Sequence, residues 1–117
     1  MGKTSNIEIK VTLDDQRVPE QLEWSAEGAG ERMNKAKAMM LAFWDGADKT
    51  ALRIDLWTKA MMVDEMADFF YQTMMTMADT YNRATPYHDM AEDMRKFAKD
   101  FYQKFQEKLK NETQGQQ

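Results

Sequence analysis

A single change of hydrophobic period divides this chain and limits what it can fold into. In "LRIDLWTKAMMVDEMADFFYQTMMTMADTY", Leu52, Ile54 and Leu56 alternate with Arg53, Asp55 and Trp57. From Val63 the pattern changes: Met66, Phe69, Phe70, Met74, Met77, Ala78 and Tyr81 recur at three- and four-residue steps. A period of two puts one face of a strand inward, and a period near 3.6 puts one stripe of a helix inward. All the clean alternation lies before the switch and all the helical spacing after it. Strands and helices segregated in this way indicate an α+β architecture.

Upstream, "IEIKVTL" places Ile7, Ile9, Val11 and Leu13 on one face and Glu8, Lys10 and Thr12 on the other. "DDQRVPE" supplies acidic turn formers ahead of Pro19, and "QLEWSA" resumes the alternation with Leu22 and Trp24, which together predict a first hairpin. "EGAGERMNK" is polar and glycine-rich, and reads as the longest irregular link in the chain. Composition alone would allow a helix over Ala36 to Trp44. A strand is preferred, because "DGADKT" is a compact turn and Leu52 to Leu56 alternates cleanly behind it, making a second hairpin. A strand apolar on both faces belongs inside a sheet or under a partner.

Downstream, Asp64, Glu65 and Asp68 fall at the start of the first helix, where its dipole favours negative charge. In "RATPYHDM", Thr85 is placed as an N-cap and Pro86 as the first helical residue of a second helix. Met90, Met94, Phe97, Ala98, Phe101, Phe105 and Leu109 form its stripe. The order ββββαα predicts a four-stranded antiparallel sheet of two hairpins, packed on one face by two C-terminal helices. The expected boundaries are a disordered start at 1–6, one domain over 7–110 and a disordered polar tail at 111–117.

Composition narrows the chemistry. The 117 residues carry a net charge of -4 with no basic block, which disfavours nucleic acid, where phosphate contacts supply most non-specific affinity. The absence of cysteine removes disulfides, thiolate catalysis and Cys-type zinc sites. The longest apolar run, "AMMLAFW", is far short of the ~20 residues a membrane helix needs, so no membrane insertion is expected. "MGKTSNIEIK" lacks the apolar segment of a secretory leader, and Asn6 stands where a myristoylation signal needs Ser or Thr. These features together point to a cytoplasmic address.

No catalytic or cofactor motif survives inspection. His88 is the only histidine, and Ser5 and Ser25 are the only serines; both serines lie at strand ends or in the loose start, so no triad forms. "GAGERM" has Met33 where a dinucleotide fingerprint needs its third glycine, and it lacks a parallel βαβ setting. "GADKT" lacks the glycine a phosphate loop has before its lysine, and "DGADKT" does not match calcium-loop spacing. Asp64 and Asp68 share one helix face, but no third ligand completes a metal site, and the spacing is routine for a solvated face. No cofactor is expected. Of the 12 methionines, Met66, Met74, Met77, Met90 and Met94 fall on the two helical stripes and read as packing, since the flexible thioether fills irregular gaps.

One surface is left over. If Leu52, Ile54 and Leu56 face the helices, then Arg53, Asp55 and Trp57 point away, as does the parity of Met40, Ala42 and Trp44 in the neighbouring strand. Met40, Trp44 and Trp57 would then form an apolar island beside Arg53 and Asp55. Aromatic, Met and Arg enrichment is the composition of a binding hot spot. Met40, Trp44, Arg53, Asp55 and Trp57 are therefore the candidate partner-binding residues. The alternative is that the "EGAGERMNK" loop or the chain tail folds over them.

Several stretches carry a family likeness. "LDDQRVPEQLEW", "KAMMLAFWDGADKTALRIDLWTKAMMVDEMADFFYQTMMTMADTY" and "NRAT" together resemble the gliding-motility protein GldC family of Bacteroidetes, from about Ile7 to Thr85. The family pattern would place a proline near Met62, and this chain has none there. The resemblance implies a small cytoplasmic accessory protein of surface gliding, whose machinery is linked to protein secretion, with no catalytic residue to carry over; the candidate surface would make either a homodimer or a contact with a protein partner of that machinery. A non-enzymatic partner-binding role is the expectation. The alternatives are an acidic secretion-type chaperone that holds an exported client and, more remotely, a small metal-dependent enzyme using Asp64 and Asp68.

Overall fold

The computed structural model describes residues 2–27 and 32–115. The chain divides into two compact units, Met1–Met61 and Met62–Gln117. The first holds five strands: β1 (Ile7–Leu13), β2 (Pro19–Ala26), β3 (Asn34–Ala36), β4 (Ala38–Asp45) and β5 (Thr50–Trp57). The second holds two helices, α1 (Val63–Ala84) and α2 (His88–Gly115). The α+β class therefore stands.

The expected single four-stranded sheet does not. The strands form two antiparallel sheets, a three-stranded one in the order β1-β2-β3 and a two-stranded one of β4 and β5. The addition is β3, which takes Asn34 and Lys35 from the end of the stretch read as an irregular link and Ala36 just after it. It pairs Leu22 with Ala36, Glu23 with Lys35 and Trp24 with Asn34. Only Lys37 separates β3 from β4, so one run of extended chain leaves the first sheet and enters the second within a single residue. Thr58, just past β5, secures that corner. Its N–H and its hydroxyl both donate to the Lys37 carbonyl at 2.8 Å, which satisfies the polar atoms of a residue only 4% exposed.

Within the first sheet the register keeps the alternation intact. Ile7, Ile9 and Val11 lie opposite Ala26, Trp24 and Leu22, so one face is apolar and Glu8, Lys10, Gln21 and Glu23 share the other. Leu22, on the central strand, is 2% exposed. The register slips between Thr12 and Leu13, where Pro19 enters the ladder without an N–H to give.

Both hairpin turns use the same device. Asp14 accepts the N–H groups of Gln16 (2.8 Å) and Val18 (3.0 Å) on its carboxylate, and Asp45 accepts those of Ala47 (2.9 Å) and Asp48 (3.2 Å). Each turn then closes through a basic residue in the left-handed region, Arg17 at φ 62° and Lys49 at φ 54°. Asp14 also holds Lys59 across 2.9 Å, tying the first turn to the chain beyond β5.

In the second unit, Met62 precedes α1 with extended backbone, and its N–H donates to the Glu65 carboxylate at 3.2 Å, which is half of a capping box. The helix start therefore forms without the proline the family pattern would place there. The second helix begins at His88 rather than Pro86, because Thr85 is taken as the C-cap of α1. Its hydroxyl still accepts the Tyr87 N–H at 3.2 Å, the bond expected of an N-cap. α2 runs to Gly115, five residues beyond the expected end, and residues 116–117 lie outside the described chain.

The two helices run antiparallel. Tyr71 stacks on Tyr102 at 4.7 Å, Asp79 pairs with Arg95 at 2.8 Å, and the Tyr81 hydroxyl reaches the Met90 sulfur at 3.5 Å. Each contact moves up one helix as it moves down the other. Ala67, Ala78, Ala91 and Ala98 are buried in line with these contacts, giving a seam of small residues that lets the helix backbones approach closely.

Candidate functional site

The β4–β5 ribbon has two faces, and its register assigns every residue to one of them. Met39, Leu41 and Phe43 lie opposite Leu56, Ile54 and Leu52, an apolar face that ends at the turn with Asp45 opposite Thr50. Ala38, Met40, Ala42 and Trp44 lie opposite Trp57, Asp55, Arg53 and Ala51. All five candidate residues, Met40, Trp44, Arg53, Asp55 and Trp57, therefore share the second face, as the alternation predicted. Met40 is directly opposite Asp55, and the two tryptophans stand at opposite ends of the ribbon.

Local chemistry fixes this arrangement. The Asp45 turn closes the hairpin so that Asp45 pairs with Thr50, and this pairing sets the parity of every residue behind it. Slipping the register by one would exchange the Leu–Ile–Leu face for the Arg–Asp face. Trp44 is 69% exposed and Trp57 58%, far more than a core tryptophan shows.

Between the tryptophans lies one ion pair. Arg53 donates to Asp55 through Nη2 at 2.8 Å and Nε at 3.3 Å, a bidentate fork along a single strand. The hydrogen bond to Asp55, and next the Asp55 charge, raise the Arg53 pKa above its ordinary value. The patch carries no net charge on a chain whose formal net charge is -4.

The sequence reading missed Ala38 and Ala51. They complete the face, each directly across from a tryptophan: Ala38 from Trp57 and Ala51 from Trp44. The signal was present as an alternation of small and large residues along β4, but it gains meaning only once the cross-strand register is known. The remaining candidates are placed plainly. His88 is exposed and hydrogen-bonds Asn82 within the helical hairpin. Asp64 accepts the Glu65 N–H at 3.0 Å in the first turn of α1. Among the described residues, no three His, Cys, Asp or Glu side chains come together as a metal site, and no helix is long and apolar enough to cross a membrane.

The sequence profile of a family described as gliding motility-associated protein GldC-like matches residues 19–107, about three-quarters of the chain. The chain belongs to the GldC-like family. No curated protein and no solved structure gives a significant match. The matched span takes in β2 to β5, α1 and most of α2, and so includes the whole candidate face. Membership associates the chain with gliding motility.

Proposed function

We propose that this GldC-like chain is a non-enzymatic, cytoplasmic accessory protein of gliding, and that it acts by binding a protein partner through the tryptophan-bearing face of the β4–β5 ribbon. The observation that carries the reading is the gathering of Met40, Trp44 and Trp57 around the Arg53–Asp55 pair on one exposed face. Exposed tryptophans flanking an ion pair suit a contact in which aromatic anchors bury area and charged groups fix orientation. Asp55, the one carboxylate of the five, is taken up in its two hydrogen bonds from Arg53.

The test is complementation in gliding cells lacking the wild-type chain. Trp57→Asp puts a carboxylate where an apolar anchor would be buried, and is expected to stop colony spreading while the protein accumulates to its normal level. Normal spreading with Trp57→Asp would remove this face from the function.

A client-holding role is the second reading. It is favoured by the breadth of apolar exposure outside this face, including Phe43, Leu52 and Ile54 on the other side of the ribbon. Copurification of an unfolded segment, lost on changing Phe43 to Asp and retained on changing Trp57 to Asp, would select it.

A further inference from the structure

The order of residues on the β4–β5 face makes it complementary to itself. Read along β4 the face runs Ala38, Met40, Ala42, Trp44, and along β5 it runs Ala51, Arg53, Asp55, Trp57. A second copy laid on this face about a two-fold axis that crosses the strands reverses both orders. Ala38 then meets Trp44 of the other copy, and Met40 meets Ala42. Ala51 meets Trp57, and Arg53 meets Asp55. Every apolar position puts a large side chain over a small one, and the one charged pair puts opposite signs together.

We infer that the partner of this face is a second copy of the chain, with the two β4–β5 ribbons stacked antiparallel, β4 over β4 and β5 over β5. The inference rests on the partner-binding reading above and names its occupant. Closed two-fold contacts require a patch that complements itself, and small-on-large alternation lets stacked sheets interdigitate at about 10 Å. The electrostatics agree. Two chains each of net charge -4 repel in general, but this patch is neutral, and the Arg53 and Asp55 side chains can exchange their bond along one strand for two bonds across the contact.

Size sets the strength. The two tryptophans offer ~150–250 Å² each, and the rest of the face is three alanines, a methionine and the ion pair. This falls at or below the ~800 Å² per partner of a standard interface. The dimer is accordingly a weak, reversible one.

The experiment is light scattering over a concentration series with a mixing arm. Wild type should rise from the 13.7 kDa chain mass toward twice that value as concentration increases. Arg53→Asp alone and Asp55→Arg alone each put like charges in contact and should stay at the chain mass. An equimolar mixture of the two should recover the dimer, because each variant presents the charge the other lacks. The double swap Arg53→Asp/Asp55→Arg should dimerise with itself, showing that the substitutions leave the fold intact. A wild type that holds the chain mass at every concentration overturns the inference, and so do single variants that dimerise normally or a mixture that stays monomeric. None of these results touches the gliding phenotype of Trp57→Asp, so failure here leaves the wider partner-binding reading to its own test.

Discussion

Asp14 organises the first turn through both oxygens of its carboxylate. One carboxylate oxygen takes the Gln16 and Val18 N–H groups and the other takes Lys59. The hydrogen bond from Lys59 first, and the backbone bond from Val18 next, lower its pKa from 3.8 to about 2. A folded value below the unfolded one means that the carboxylate stabilises the fold fully above the unfolded value, and that this contribution is lost as pH falls from about 4 toward 2. Urea midpoints measured from pH 7 down to pH 2 should therefore fall more steeply for wild type than for Asp14→Asn, the curves converging at the acid end. Parallel curves would show that the turn does not depend on this charge. In the sequence, "DDQRVPE" announced a turn but not which aspartate would organise it. The partner Lys59 lies 45 positions away, beyond the reach of local pattern.

Among the elements, the helical hairpin gives the sharpest test of packing. Ala78, Ala91 and Ala98 are completely buried in the seam between α1 and α2, where a longer side chain has no room. Ala98→Leu should destabilise the chain by ~1–3 kcal/mol through overpacking. Lys99→Leu, one position on and exposed, should stay within about 0.5 kcal/mol, as surface substitutions do. Equal effects in thermal unfolding would contradict the assignment of Ala98 to the seam. The helices were legible because their stripes repeat over many turns. The hairpins were legible because alternation and turn chemistry agreed, at Ile7 to Leu13 and again at Leu52 to Leu56. The short strand β3 was not: three residues, two of them Asn34 and Lys35, show no period, and they pair only because β2 presents a free edge. The division into two sheets at Lys37 was equally hidden, since it depends on Thr58 capturing a carbonyl 21 positions earlier. For the candidate face, alternation placed five residues on one side, but their cross-strand order and the complementing alanines needed the register.

At the scale of the whole molecule, an acidic GldC-like chain carries a face of no net charge whose two tryptophans are far more exposed than a core would leave them. The central claim is that this face serves association and not folding. The most direct measurement is the urea unfolding of Trp44→Thr/Trp57→Thr, compared with wild type at a concentration where light scattering gives the single-chain mass for both. Threonine keeps the β-preference of the strand while removing both aromatic anchors. A surface face predicts a change below about 1 kcal/mol, with an unaltered denaturant slope. A loss of several kcal/mol, of the order of 3–5 for each large aromatic removed from a core, would mean that Trp44 and Trp57 hold the fold together, and would contradict their assignment to a partner.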